Sequence, residues 1–458
     1  MIENTVWMTY SEYLPIELRQ SEEEGKDIGK YRGRAEAILK LAEQDVSFAE
    51  KERMAWELLD EMEKEPVRKD YPYKEPDNLE EIRQLLDGKS SKIYPVDKEK
   101  LKDKILGAWM GRCIGCLLGQ PIEGWKRERI IGFLKDTDNY PVSNFLSSAV
   151  GRKIAERYQV SDNGENAFCD TVTHWINNIT DMPEDDDTNY TVIGLKVLEE
   201  HGRKFDSEHM AQMWLTSLPM GHVSTSERVA YRNIGNLIDA PKCGWWKNPY
   251  REWIGAQIRA DIFGYVCPGN PKEAAGMAWK DGRISHVKNG IYGEMYIAAM
   301  LAAAYEEHDM MELVETALGQ IPYTSRLYEE IRRVVGDYRN GVDAEQAINN
   351  LHKKFKEEDS HDWCHTITNA AAVTVSILYS GNDFTKALGI AMECGYDTDC
   401  NGATVGSVMG LIAGSQGIPT NWKKDLTGVL RTGVSGYHQV KIEELAERTY
   451  RLIEKEQE

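Results

Sequence analysis

The chain has 458 residues, 41% of them hydrophobic, and its 75 Asp and Glu outnumber 55 Lys and Arg for a formal charge of −20. That size and composition sustain a packed core and exclude a disordered or fibrous chain. The negative balance repels phosphate backbones and anionic lipid, which argues against nucleic-acid and membrane partners.

The first 22 residues are polar and acidic, without a basic start followed by an apolar run, so no secretory signal is expected. The most apolar stretch, 405–413, is far shorter than the roughly 18 residues of a membrane helix. Of the cysteines at 113, 116, 169, 243, 267, 364, 394 and 400, only Cys113 and Cys116 have a metal-like spacing, and no second pair accompanies them. Buried free thiols in a reducing, cytoplasmic setting are the expectation.

Residues 1–100 are charged and poor in glycine, with helical spacing over 31–64 and a Pro- and Lys-rich interruption at 65–76. They read as an N-terminal helical extension ahead of a main domain at 101–458. Its Trp7, Tyr10, Tyr13 and Leu14 can pack on that domain or join a second copy in a homo-oligomer.

From residue 103 onward the pattern is almost wholly helical. Apolar residues recur at three and four positions in 104–119, 188–201, 293–307, 326–338, 365–379 and 440–453, and alternating runs are missing. The class is all-α. Gly107, Gly111, Gly115 and Gly119 are spaced by four, as are Gly402, Gly406, Gly410 and Gly414. A glycine inside a helix costs about 0.5–1 kcal/mol relative to Ala, so each row implies a face that must be smooth. Tight helix packing alone accounts for such faces; the same helices can also wall an active site.

Two acidic clusters stand out. Asp185, Asp186 and Asp187 follow Pro183 and precede a helix expected over 189–201, which Asp187 or Thr188 can cap. Three adjacent carboxylates exceed what a cap requires, and a bound cation relieves their repulsion. Asp397 and Asp399 lie two apart between an apolar helix at 385–394 and the second glycine row. There both can address one hard cation such as magnesium, manganese or calcium. A calcium loop starting at Asp397 would need Glu at its twelfth position, where Val408 stands, so an EF-hand is excluded.

The ordered motifs are Gly107-Ala108 with the glycine row to Pro121 and Glu123, Asp186-Asp187-Thr188, Gly255-Ala256-Gln257-Ile258-Arg259, Ser285-His286, and Gly395-x-Asp397-Thr398-Asp399-x-Asn401 with Gly406 and Gly410. Together, over 103–415, they resemble the ADP-ribosylglycohydrolases. The resemblance implies a compact all-α enzyme that hydrolyses an N- or O-glycosidic bond to ribose, with one or two magnesium or manganese ions. The substrate would be ADP-ribosyl or a small ribosyl compound. It places metal ligands at Asp186, Asp187, Asp397 and Asp399, with Asp185 beside them, and a mobile gate or metal-site neighbour at Glu123. The catalytic set becomes Glu123, Asp187 and Asp399; Gln257, Arg259, His286 and Asn401 fall to substrate binding.

Three positions depart from that pattern: Asp185 and Cys400 stand where the family has Thr, and Cys116 where it often has Asp. A thiol is a soft group that hard cations ignore. The changes keep a small N-riboside open as substrate, and a non-catalytic, crystallin-like role is the rival from another class. A phosphohydrolase would need Arg, Lys and His beside the acidic motifs, which are missing. In 248–261, Arg259 and Asp261 are cleft candidates, with salt bridges as the alternative, and His365 reads as structural. Trp245, Trp246 and Trp253 suggest an aromatic wall or plain core packing.

Overall fold

The computed structural model describes residues 6–42, 44–88, 92–163, 172–424 and 426–455. Among them the chain is built from helices, with a single two-stranded antiparallel ladder in which Leu430 pairs with Val440. The all-α class expected from the periodicity is the one observed.

The helices that position the site are labelled here in chain order: α1 (Tyr10–Glu23), α2 (Leu101–Gly119), α3 (Asp186–His201), α4 (Thr225–Gly235), α5 (Lys288–Ala303), α6 (Thr366–Tyr379), α7 (Phe384–Cys394) and α8 (Thr398–Gly417). Every residue of α5 from Asn289 to Ala303 is buried, and α6 is buried from Thr366 to Leu378. A helix that is apolar all round belongs in the core, and α5 packs on α6 and α8 at the centre of the fold.

The two glycine rows face one another. A Cβ on Gly111 would lie 2.0 Å from the Gly406 carbonyl oxygen, and one on Gly115 would lie 1.8 Å from that of Gly402. Backbone therefore rests on backbone along α2 and α8, and no larger residue fits. Gly115→Ala is expected to destabilise the protein by about 3 kcal/mol, because the obstacle is a carbonyl that cannot rotate away. A urea unfolding curve matching that of the parent would show that the helices can part instead.

Several boundaries differ from the expectation. Helix α3 begins at Asp186, three residues early, because Asp185 is the cap: its side chain accepts from the Asp187 amide. Neither Asp187 nor Thr188 caps it. The glycine helix starts at Thr398 and bends at Gly414, whose φ of +69° is non-helical. The periodic run at 31–64 is two helices, Arg32–Leu39 and Phe48–Glu63, the second capped by Ser47. The described cysteines are free and buried; Cys169 lies outside the described residues. No helix of the described chain is long and apolar enough to cross a membrane.

The N-terminal segment packs on the chain's own body. Tyr13 and Leu14 are fully buried, and the Tyr13 ring meets Tyr250 edge-on with centroids 5.8 Å apart. Arg251 pairs with Glu17 at 2.6 Å and Glu24 at 2.7 Å, while Gln20 donates to Glu252 at 2.6 Å. Helix α1 is thereby held against the loop that precedes Gly255.

Candidate functional site

The N-termini of α3 and α8 converge. Carboxylate oxygens of Asp186 and Asp187 and the Cys400 sulfur lie within 4.8 Å of one another, and so do ligand atoms of Asp397, Asp399 and Cys400. Helix α2 enforces the meeting. A Cβ on Gly119 would sit 2.3 Å from the Asp399 amide nitrogen, and the Thr398 hydroxyl donates to the Gly119 carbonyl at 3.0 Å. From the same helix Arg112 reaches across to Asp187 at 3.0 Å and Asp261 at 2.8 Å, and also donates to the carbonyl oxygens of Asp187 and Ile258.

All five predicted metal ligands are buried, but their oxygens are not equivalent. Asp185 has both engaged, one by the Asp187 amide at 3.0 Å and one by Gln120 Nε2 at 2.6 Å. Asp187 Oδ2, Asp397 Oδ1 and Asp399 Oδ1 are buried without a hydrogen-bond partner. Burial first, and neighbouring carboxylates second, raise the carboxyls of Asp186 and Asp397 well above their ordinary range. Burial does the same to Asp187 in spite of Arg112, and Asp399 is pushed up to about 7. One guanidinium cannot balance this many carboxylates, and leaving buried charges unpaired is costly. The residues therefore fit a hard divalent cation. Burial also pushes the thiols of Cys116 and Cys400 up, keeping them neutral and poor ligands for such an ion.

Asp186, Asp397 and Asp399 open onto a cavity of about 360 Å³ together with Glu123, Glu227 and Cys400. Of the three predicted catalytic residues, Glu123 and Asp399 line this cavity, whereas Asp187 stands behind it against Arg112.

The four predicted substrate-binding residues lie one layer back from the wall. Arg259 is 2% exposed and donates to Glu227 and Asp281, both at 2.6 Å, and to Ser285 at 2.8 Å. It thereby holds Glu227, which does face the cavity. His286 is buried beside Ser285, 2.8 Å from its hydroxyl, and burial holds its imidazole neutral, with a pKa well below the usual value. Gln257 accepts from the Thr366 hydroxyl at 3.0 Å, and Asn401 donates to Asn369 at 2.8 Å, tying α8 to α6. Asp261, the further cleft candidate, is fully buried as the second partner of Arg112. His365 caps α6 through Nδ1, which accepts from the Ile367 amide at 3.1 Å.

Sequence reasoning missed Arg112, Glu227 and Gln120. Arg112 carried a usable signal, since it is the lone charge in the otherwise apolar run 105–118. Glu227 carried none, because one acidic residue in a polar helix is ordinary surface.

The family model described as ADP-ribosylglycohydrolase matches residues 97–458. Among solved structures the chain is similar to one described as an "ADP-ribosylglycohydrolase-related protein complex", at 18% identity and a TM-score of 0.49, covering 78% of this chain and 99% of that one. No curated protein sequence matches the chain.

Proposed function

The chain belongs to the ADP-ribosylglycohydrolase family, and on that premise we propose that it is a metal-dependent hydrolase of an N- or O-glycosidic bond to ribose. One observation carries the reading: three buried carboxylate oxygens without partners, from two distant motifs, gather beside a single cavity.

Asp186, Asp187, Asp397 and Asp399 would hold one or two magnesium or manganese ions. A divalent cation bound there supplies charge that orients ribose hydroxyls and acidifies water. The remaining work falls to side chains. Cleavage builds positive charge on the sugar ring, which carboxylates facing the cavity stabilise. Glu123 and Asp399 line that wall, where a carboxylate can accept the proton of the attacking water. Arg112 keeps Asp187 in place, and Arg259 does the same for Glu227. A crystallin-like, non-catalytic role leaves the unpartnered carboxylates without a purpose.

The test is cleavage of the anomeric bond by chelator-stripped protein, read as release of the leaving group, from ribosyl compounds with and without a phosphate on the sugar. Release should be absent in chelator and return with magnesium or manganese. Release that is indifferent to the metal, or none from any ribosyl compound with metal present, overturns the proposal.

A further inference from the structure

We infer that the N-terminal segment completes the substrate cavity and selects a ribosyl compound whose leaving group is a flat aromatic ring carrying no phosphate. The inference rests on the ribosyl-hydrolase reading above and specifies its substrate class.

Trp7 and Ile16, both from the segment ahead of the family-matched region, line the same cavity as Asp186, Asp397 and Asp399. With Tyr250, Trp253 and Trp363 they make one side of its wall aromatic and apolar, beside the hydroxyls of Ser224, Thr225 and Ser360. The rings are held in place. Tyr250 and Trp253 meet edge-on with centroids 4.7 Å apart, and the Trp253 indole N–H is spent on His361 Nδ1 at 3.1 Å. Trp7 sits at a φ of 60°, a left-handed backbone conformation that is strained for a bulky residue and persists only where the surroundings impose it. Those surroundings are visible: the Tyr13 hydroxyl donates to the Trp7 carbonyl at 2.7 Å, and the Arg228 guanidinium stacks 5.1 Å from its ring centroid. Fixed ring faces of this kind suit a flat partner.

The charges disfavour a diphosphate. Five carboxylates line the cavity, from Glu123, Asp186, Glu227, Asp397 and Asp399, and among the described residues no Lys or Arg does. The nearby guanidiniums are committed elsewhere: Arg228 to the Val223 and Gly221 carbonyls, Arg259 to Glu227 and Asp281, and Arg251 to Glu17 and Glu24. Helix starts often bind phosphate through their free amides, yet those at this wall already carry carboxylates of their own, at Asp185 and Asp186 for α3 and at Asp397 and Asp399 for α8. Glu227 stands in the first turn of α4, and Asp359 caps the short helix that begins at Ser360. Cations held by the acidic cluster would be balanced there by Asp186, Asp187, Asp397 and Asp399. The volume of about 360 Å³ lies at the low end of the roughly 300–1,000 Å³ usual for small-molecule sites.

Calorimetry on the full chain, with magnesium and without, would compare 4-nitrophenyl β-riboside and a purine nucleoside with ADP-ribose. Release of nitrophenol or purine base from the two ribosides would be followed in parallel, with ADP-ribose compared as a ligand only. The phosphate-free ribosides should bind more tightly than ADP-ribose. Trp7→Ala and Trp363→Ala should each weaken riboside binding about tenfold, with Trp7→Phe restoring most of it and ADP-ribose affinity nearly unmoved. Retained magnesium-induced thermal stabilisation in each variant shows that the fold and the acidic cluster are intact. Tighter binding of ADP-ribose, or riboside affinity unchanged in both Ala variants, overturns the inference. Riboside binding without metal-dependent turnover of any ribosyl compound supports the cavity assignment while sinking the hydrolase reading, so the two fail separately.

Discussion

Asp397→Asn is expected to abolish the thermal stabilisation by magnesium or manganese and, in chelator, to melt above the parent. At a metal concentration a hundredfold over the dissociation constant, the parent gains about 2.7 kcal/mol from binding, and the variant should gain none. The rise in chelator follows from the geometry. Asp397 is buried with an unpartnered Oδ1 and lies among Asp399 and Glu123, whose charges oppose its own. An amide of the same shape removes that repulsion without opening a cavity. Asp397 is preferred to Asp187 for the test because Asp187 also holds Arg112, so its loss would mix two effects. Differential scanning calorimetry in chelator and in metal decides. A variant that still responds to the ion like the parent removes Asp397 from the ligand set.

Arg112→Met is the second change with a large expected effect, a loss of about 3–5 kcal/mol of stability. Arg112 is fully buried, and its guanidinium joins Asp187, Asp261 and two backbone carbonyls of different segments. Methionine fills much of the volume but leaves two carboxylates without their shared cation. Arg112→Lys should recover only part of the loss, since a single ammonium cannot bridge partners that a planar fork reaches at once. Urea unfolding of the three proteins measures this. If the Met variant is as stable as the parent, Asp187 and Asp261 are neutral in the folded protein and the ion pair contributes little.

The local features of the chain were legible because they are written in short-range spacing. Rows of glycine at every fourth residue announced a smooth helix face, and α2 and α8 meet along it at backbone distance. Pro183 with the acidic run announced a helix start, and one begins there, although the cap proved to be Asp185. The polar strip at 248–261 allowed either a cleft lining or salt bridges: Tyr250, Trp253, Ile254, Gly255 and Ile258 line the cavity, whereas Arg259 is in ion pairs and Gln257 stands behind the wall. Periodicity tells which residues share a face, and it is silent on what that face meets. Arg259 is as polar in a buried bridge between Glu227 and Asp281 as it would be against a substrate.

By itself the sequence determined the helical class, the smooth faces of the two glycine helices and the family motifs with their carboxylates. Each of these rests on residues one to four positions apart, where backbone geometry leaves few choices. Only the tertiary structure decided which carboxylate oxygens stay unpartnered, that Arg112 lies between Asp187 and Asp261, and that Trp7 lines the same cavity as Asp397. Those relations join segments far apart in the chain. Packing of the whole core brings them together, and no local spacing encodes their meeting.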